Sequence, residues 1–253
     1  MALPAQLAPL AADPSSSAVV LDFDGTLAEI VDRPELAVPA PGAAAAVARL
    51  VDRFGLVAVV SGRPTAEVER LLGVPEVRYA GLYGLEEGAG PAQLPAGLAE
   101  RVTAASAGIA GARVEDKGRA ISVHYRQAPD PVGARTELLG ALTTLAERAG
   151  LEVIEGKMVV ELVPAGRARK GGAVRRFLHE FGSRAAMYAG DDLADLEAFE
   201  ELARATAREG VRAVRVAVAG PETPAALVAA ADLTVSGPSG LVGLLGELAA
   251  ATA

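Results

Sequence analysis

The stretch 19-VVLDFDGT-26 joins an apolar run to two acidic residues, and the interpretation of the whole chain starts from it. The apolar run predicts a buried strand, of the parallel type because both of its faces are apolar. Side chains alternate along a strand, so we expect Asp22 and Asp24 on one side, with Phe23 turned back toward the core. Gly25 lets the backbone turn away and lets a ligand approach it closely. Two carboxylates at the carboxyl end of a buried strand occupy the position at which open α/β sheets bind their ligands.

Length and composition limit the classes of protein to which the chain can belong. Its 253 residues suffice for one large α/β domain or for a core domain with a smaller companion. The net charge of -8 argues against a general nucleic-acid binder or a protein of anionic membranes. The absence of Cys excludes disulfides, thiolate metal sites and Cys nucleophiles. With no secretory signal and no run of roughly 18 apolar residues, we expect a cytoplasmic protein without a membrane partner.

The alternation of strands and helices predicts the fold class. Residues 18–80 have the pattern strand, helix, strand, helix, strand, which implies a parallel sheet with right-handed crossovers. Residues 94–163 instead contain a helix followed by an antiparallel hairpin, and this unit occurs twice. The alternation of strands and helices resumes after residue 163. We therefore predict an α/β fold, with a Rossmann-like doubly wound parallel core formed by residues 1–90 and 167–253. An α+β cap domain is inserted into it at residues 91–166.

Two stretches without a clear periodicity are interpreted as connectors. Residues 84–90 are rich in Gly but lack the spacing of a nucleotide-binding loop, so we interpret them as a hinge. Residues 1–17 are rich in Ala and Pro and predict a loose amino-terminal arm.

Four fragments with acidic, hydroxyl or amino side chains fall at strand ends or at a helix start. They are Asp22 with Asp24, Ser61, Lys170, and Asp191 with Asp195. Each fragment alone has an ordinary explanation, as a solvated turn, a surface charge or a helix cap. Their order, and their placement at one edge of one sheet, favour a single site for phosphoryl transfer.

Phosphoryl transfer gives each of these residue types a role. Carboxylates from separate strand ends supply the hard oxygen ligands that Mg²⁺ prefers. Asp22 is the predicted nucleophile, and Asp24 the general acid that protonates the leaving oxygen and then deprotonates water. We expect Ser61 to donate a hydrogen bond to a phosphoryl oxygen and Lys170 to balance the negative charge.

The same fragments resemble the four ordered motifs of the haloacid dehalogenase (HAD) superfamily. The motifs are Asp22-Phe23-Asp24-Gly25-Thr26, Ser61-Gly62-Arg63, Lys170-Gly171 and Gly190-Asp191-Asp192-Leu193-Ala194-Asp195. Within the superfamily, the chain resembles the trehalose-6-phosphate phosphatases. The fragments that carry this second resemblance are Val114-Glu115-Asp116-Lys117-Gly118, His124-Tyr125-Arg126 and Gly156-Lys157-Met158-Val159-Val160-Glu161-Leu162.

The resemblance implies a Mg²⁺-dependent phosphatase that releases trehalose and phosphate from trehalose 6-phosphate. It implies metal binding by Asp22, the backbone carbonyl of Asp24 and Asp191, with Asp195 or Asp192 in the outer shell. It also implies substrate contacts in both domains. These are Gly25, Thr26, Gly62 and Arg63 in the core, Glu115, Lys117 and Glu161 at the sugar hydroxyls, and Arg126 and Lys157 nearer the phosphate.

Several alternatives remain open. The substrate could be another sugar phosphate, such as sucrose or mannosylglycerate phosphate, or the enzyme a phosphosugar mutase. A third alternative is a non-catalytic sugar-phosphate-binding module that regulates a synthase. The chain also departs from the family pattern, since Tyr83 stands where the family has His, and Ala194 and Leu196 where it has Thr and Glu. The sequence leaves the oligomeric state open, with a monomer as the working expectation.

Overall fold

The structure is a computed structural model that describes residues 3–86, 94–166 and 169–252. The chain divides into two compact units. The first is Met1–Glu86 with Arg169–Ala253, and the second is Glu87–Ala168. The predicted boundaries, after residues 90 and 166, and most of the predicted hinge involve residues outside the described ranges.

The described residues contain the following strands and helices. The strands are β1 (Ser17–Leu21), β2 (Leu56–Val60), β3 (Arg78–Ala80), β4 (Arg113–Asp116), β5 (Ile121–His124), β6 (Leu151–Gly156), β7 (Val159–Pro164), β8 (Ala185–Gly190), β9 (Arg212–Ala219) and β10 (Leu233–Ser236). The helices are α1 (Ala8–Ala12), α2 (Ala43–Val51), α3 (Thr65–Leu72), α4 (Leu98–Ser106), α5 (Pro131–Ala149), α6 (Lys170–Phe181), α7 (Asp195–Glu209), α8 (Ala225–Ala230) and α9 (Gly237–Ala250).

The first unit is built on a parallel sheet. Among the described residues, six strands form it in the order β10-β9-β8-β1-β2-β3, and every neighbouring pair is parallel. The chain enters at the central β1, proceeds outward through β2 and β3, and later continues on the other side from β8. The direction of the strand order therefore reverses between β1 and β8. In open α/β sheets, ligands bind at the carboxyl ends of the strands at such a switch point.

Both faces of this sheet are covered by helices, because alternate residues of each strand point to opposite sides. Val19 belongs to a buried cluster that also contains Leu50 of α2. Val20, on the other face, shares a second cluster with Phe177 of α6 and Phe199 of α7. This two-sided burial explains why the strands are continuous apolar runs, as the sequence indicated for β1.

The described part of the amino-terminal segment, residues 3–17, packs on the core, so the prediction of a loose arm was wrong for these residues. Leu7 and Leu10 are completely buried, and both belong to the cluster that contains Val19. Their spacing of three residues places them on one face of a short helical segment. The Ala- and Pro-rich composition concealed this apolar pair.

The second unit is an antiparallel sheet with helices on one face. Its strands are ordered β4-β5-β7-β6 among the described residues, and all pairs are antiparallel. Ile121 and Val160 of the sheet share a buried cluster with Val102 of α4 and Leu138 of α5. The predicted fold class, a doubly wound parallel core with an inserted α+β unit, is therefore confirmed.

Helix α5 begins at Pro131, directly after its N-cap residue Asp130. The Asp130 carboxylate accepts a hydrogen bond from the Gly133 amide at 3.0 Å, and Pro131 occupies the first helical position. Asp as the N-cap followed by Pro is a strong helix start, so the sequence contained the signal. α5 has 19 residues, and no helix among the described residues is both long enough and apolar enough to cross a membrane.

Truncation of Leu138 tests the packing of the second unit. Leu138 is completely buried, and we expect Leu138→Ala to lower the free energy of unfolding by about 2–5 kcal/mol because it leaves a cavity. Val132→Ala on the same helix is the control, since Val132 is 77% exposed. Urea unfolding followed by circular dichroism measures both. Equal effects of the two substitutions would contradict the described core.

Candidate active site

Asp22 and Asp191 meet at the switch point of the parallel sheet. β1 ends at Leu21 and β8 at Gly190, so each aspartate is the first residue after its strand. The two strands are partners, and the Asp22 amide donates to the carbonyl of Ala189 at 2.9 Å. Both side chains are buried, with 4% of Asp22 and 2% of Asp191 exposed.

Gly25 lets the chain turn directly against Asp191. Its φ of +80° is left-handed, and a Cβ atom at this position would lie 1.8 Å from Asp191 Oδ2. Any other residue would therefore be strained and would also collide with the carboxylate. The neighbouring Thr26 Oγ1 donates to Asp191 Oδ1 at 3.3 Å. Gly25 and Thr26, for which the resemblance implies substrate contacts, thus help to position Asp191.

Lys170, the first residue of α6, places its ammonium between two carboxylates. Lys170 Nζ lies 2.8 Å from Asp22 Oδ1 and 2.7 Å from Asp195 Oδ1, and only 4% of the lysine is exposed. Burial alone would lower the pKa of Lys170, but the carboxylates of Asp195 and Asp22 raise it instead. The side chain therefore remains a charged ammonium that can stabilise negative charge next to Asp22.

Asp195 is fixed by the start of its own helix and by a buried tyrosine. Its Oδ2 accepts hydrogen bonds from the amides of Asp191 and Asp192 at 2.9 and 2.8 Å. The Tyr188 hydroxyl donates to Asp195 Oδ1 at 2.6 Å. Burial, reinforced by the Asp195 charge, raises the pKa of Tyr188 well above its usual value, so the phenol stays protonated. A Cβ on Gly190 would lie 2.3 Å from Asp195 Cγ, so glycine is needed there.

The carboxylates of Asp22, Asp191 and Asp195 fit a divalent cation. One oxygen from each lies within 4.8 Å of the others, and all three residues are buried. Burial raises the pKa of Asp22, and the charges of Asp195 and Asp191 raise it further against the opposing effect of Lys170. Three carboxylates against one ammonium leave an excess of two negative charges when all are ionised. A divalent cation would offset this excess, and hard carboxylate oxygens are the ligands that Mg²⁺ prefers.

The side chain of Asp24 forms an ion pair and is not part of this carboxylate group. Arg63 Nε and Nη2 donate to the two Asp24 oxygens at 2.7 and 2.8 Å, which is a bidentate pair. Arg63 Nη1 donates to Glu67, and the guanidinium carbon lies 5.8 Å from the centre of the Phe23 ring. Both oxygens of the Asp24 carboxylate are therefore held by one guanidinium in this structure.

Ser61 and Gly62 lie in a loop that the segment after β3 holds in place. The amides of Tyr83 and Leu82 donate to the carbonyls of Ser61 and Arg63 at 2.8 and 2.9 Å. Leu82 and Tyr83 have positive φ angles of 49° and 58°, which is uncommon for residues with side chains. A Cβ on Gly62 would lie 2.7 Å from the Tyr83 hydroxyl, so Tyr83 packs over this loop. The residue that departs from the family pattern therefore contacts the loop that carries Ser61.

The second unit has a polar sheet face opposite its helix-covered face. Glu115, Ser122 and Glu161 are aligned across β4, β5 and β7. Glu161 is 1% exposed, and its Oε1 accepts from Lys117 Nζ at 2.8 Å and also from Ser122 Oγ. His124 Nε2 lies 2.7 Å from Glu115 Oε2, and this hydrogen bond lowers the pKa of Glu115 to about 2. Both glutamate side chains are thus fixed by hydrogen bonds, and their carboxylate oxygens are acceptors of the kind that suits the recognition of hydroxyl groups.

Arg126 and Lys157 are brought together at one end of the same sheet. Arg126 Nη2 donates to the backbone carbonyl of Lys157 at 3.5 Å. Met158 follows with a φ of +59° in the turn between β6 and β7, and its carbonyl accepts from the Tyr125 amide at 2.9 Å. The structure therefore groups the predicted residues of the second unit on one sheet and around its turn.

Sequence reasoning missed several contacts of the core site. Tyr188 was concealed inside an apolar strand, and Glu67, the partner of Arg63, looked like an ordinary residue of a helix surface. A possible signal for Tyr188 was a hydroxyl-bearing aromatic residue three positions before Asp191 in an otherwise apolar run.

The sequence was compared with models of known protein families. A model of the trehalose-phosphatase family matches residues 20–90 and 99–231. The chain belongs to the trehalose-phosphatase family. The matched residues include the motifs of the core and those of the second unit, so the resemblance predicted from the sequence is confirmed.

Individual relatives agree with this assignment. A trehalose-phosphate phosphatase of Mycobacterium avium (strain 104) is 38% identical over 201 residues, which cover 72% of this chain and 50% of that protein. The chain spans about half the length of such mycobacterial relatives. A probable trehalose-phosphate phosphatase of Sinorhizobium fredii is 36% identical over 233 residues, covering 87% of this chain and 83% of the relative.

The fold itself has a counterpart among solved structures. The C-terminal domain of a C. albicans trehalose-6-phosphate phosphatase superimposes with a TM-score of 0.81, covering 98% of both chains at 21% identity.

Removal of the Lys170 ammonium tests the charge balance of the site. We expect Lys170→Met to lower the free energy of unfolding in EDTA by about 3–5 kcal/mol, because it leaves the buried carboxylates without a cation. Mg²⁺ should restore part of the loss. The exposed Arg208→Met is the control and should stay within about 0.5 kcal/mol of the wild type. Denaturant unfolding with and without Mg²⁺ measures both, and an unchanged Lys170→Met variant would refute the charge argument.

Proposed function

We propose that the protein is a Mg²⁺-dependent phosphatase that hydrolyses trehalose 6-phosphate to trehalose and phosphate. The observation that carries the reaction type is the contact of the buried Lys170 ammonium with Asp22, beside the Asp191 carboxylate at the switch point. Membership of the trehalose-phosphatase family supports the substrate.

In this proposal the reaction takes two steps. A carboxylate oxygen of Asp22 attacks phosphorus, the bond from phosphorus to the ester oxygen breaks, and Asp24 gives that oxygen its proton. Asp24 then takes a proton from a water molecule, which attacks the aspartyl-phosphate and releases phosphate with regeneration of Asp22. Lys170 and the Ser61 hydroxyl stabilise the charge of the transferring group. Both oxygens of Asp24 accept hydrogen bonds from Arg63, so this pairing has to open before Asp24 can act on the ester oxygen.

Three groups of the core would hold Mg²⁺. They are the Asp22 and Asp191 carboxylates and the backbone carbonyl of Asp24, while the nearby Asp195 would lie in the outer shell. The bound ion would supply positive charge to the phosphoryl oxygens. Offsetting the excess negative charge of the site would also keep Asp22 ionised, as a nucleophile must be.

We further propose that the second unit, whose domain bounds are predicted as 91–166, is a cap that binds the sugar. Glu115, Lys117 and Glu161 would contact its hydroxyl groups, while Arg126 and Lys157 would lie nearer the phosphate. The fixed glutamate side chains support this role, since each presents carboxylate oxygens as acceptors. Gly25, Thr26, Gly62 and Arg63 are the core residues proposed to contact the substrate. A sugar phosphate as substrate agrees with a cytoplasmic location for the proposed enzyme.

Substitution of Asp22 tests the nucleophile. We expect Asp22→Asn to reduce phosphate release from trehalose 6-phosphate by at least about 10³-fold, because the amide cannot form the phosphoenzyme. The wild type should be compared on trehalose 6-phosphate, sucrose 6-phosphate and glucose 6-phosphate with Mg²⁺. Asp52→Asn, at an exposed position, is the control and should keep full activity. Wild-type turnover by Asp22→Asn would refute the nucleophile, and a preference for sucrose 6-phosphate would refute the sugar.

Substitution of Glu161 tests the cap separately from the chemistry. We expect Glu161→Gln to raise KM for trehalose 6-phosphate by about tenfold or more while hydrolysis of p-nitrophenyl phosphate continues, because the aryl phosphate has no sugar hydroxyls. Glu137→Gln, on the exposed surface of α5, is the control. Equal loss on both substrates would contradict a role limited to the sugar.

A further inference from the structure

Tyr188 places a hydroxyl group in the apolar interior of the first unit. The residue is completely buried on β8, and its ring packs edge-on against Phe199 with 6.2 Å between ring centres. Both residues belong to the same buried cluster. A phenylalanine would fill this space equally well, so packing alone does not explain the hydroxyl. Its contact is the Asp195 carboxylate, at 2.6 Å.

The Asp195 carboxylate receives as many hydrogen bonds as it can accept. Oδ1 accepts from Lys170 Nζ and from the Tyr188 hydroxyl, and Oδ2 accepts from the amides of Asp191 and Asp192. A carboxylate has about four lone-pair sites, and four donors occupy them. Asp195 thus has no lone pair left for a direct bond to a metal ion, although its oxygen lies close to those of Asp22 and Asp191.

We propose that Tyr188 is a positioning residue of the catalytic centre, which acts through Asp195 to hold the Lys170 ammonium against Asp22. The inference rests on the phosphoryl-transfer role proposed above. The Lys170 ammonium is shared between Asp195 at 2.7 Å and Asp22 at 2.8 Å, so its position depends on how strongly each oxygen attracts it. The Tyr188 hydroxyl occupies one lone pair of Asp195 Oδ1 and so weakens the attraction of this oxygen for the Lys170 ammonium. It also keeps Asp195 an anchor of Lys170, so that metal binding falls to Asp22 and Asp191.

Loss of the hydroxyl has a specific consequence in this arrangement. In Tyr188→Phe, Asp195 Oδ1 has one donor fewer, and the ammonium moves toward Asp195 and away from Asp22. Charge stabilisation at the reacting phosphoryl group then weakens, while the contacts of the leaving group stay as they are. The substitution therefore lowers kcat, and it lowers it by the same factor for a sugar phosphate and for an aryl phosphate.

Tyr188→Phe is compared with two matched controls. Tyr79→Phe removes another buried phenol, whose hydroxyl donates to the Val74 carbonyl at 2.7 Å. Phe199→Leu changes the packing around the Tyr188 ring and leaves the hydroxyl in place. Each variant is assayed with Mg²⁺ on trehalose 6-phosphate and on p-nitrophenyl phosphate, and its thermal midpoint is measured. We expect Tyr188→Phe to lower kcat about tenfold to a hundredfold on both substrates, with KM within about twofold of the wild type.

A second readout follows the ammonium directly, without metal and without turnover. The sequence contains three lysines, Lys117, Lys157 and Lys170, so labelling with lysine carrying ¹³C at Cε gives a simple spectrum. Lys170→Met assigns the signal of the buried side chain. We expect this signal to move in metal-free Tyr188→Phe and to stay in place in Tyr79→Phe.

The two readouts decide the proposal. A wild-type kcat in Tyr188→Phe, an unmoved Lys170 signal, or an equal kcat loss in either control variant would overturn it. If the wild type hydrolyses p-nitrophenyl phosphate but not trehalose 6-phosphate, the proposed substrate fails while the role of Tyr188 is still measured on the aryl phosphate.

Discussion

The Lys170 ammonium lies between the carboxylates of Asp22 and Asp195, all three side chains are buried, and the electrostatics of the core site depend on this contact. Ions transferred out of water lose solvation, and only close, well-directed partners compensate for the loss. The site meets this requirement with hydrogen bonds from the tyrosine, the threonine and the backbone amides around the carboxylates. The excess of carboxylates over ammonium at this site is the charge that the proposed divalent ion would offset.

The geometry of the sheet makes such a concentration of charge possible. Parallel strands end at one edge, and the reversal of strand order between β1 and β8 opens a gap there. Two glycines, Gly25 and Gly190, keep this gap clear, because a Cβ on either would collide with an aspartate. Burial of the apolar faces fixes the positions of the strands. At their carboxyl ends, the two glycines leave room for the carboxylates.

Much of this arrangement could be predicted from the sequence, because it depends on local patterns. Apolar strands followed by Asp located the carboxyl edge, and the change from alternating to hairpin patterns separated the two units. Pairings between distant side chains could not be predicted, since they depend on rotamers and on the register of elements far apart in the chain. The capture of Asp24 by Arg63 and the contact of Tyr188 with Asp195 are of this kind. The buried Leu7 and Leu10 were missed because composition was weighed above spacing.

The places where the second unit leaves and rejoins the core are themselves well anchored. On one side, the Glu86 carboxylate accepts a hydrogen bond from the Thr65 amide at 2.6 Å, and on the other, Arg169 directly precedes the helix that carries Lys170. The inserted segment thus lies between two fixed points of the core unit. The inserted segment could be replaced by that of a relative with a different sugar preference, joined after Glu86 and before Arg169. Such a replacement would leave the hydrogen bond of Glu86 and the start of α6 unchanged. The core unit could in this sense accept different inserted domains at the same two positions of the chain.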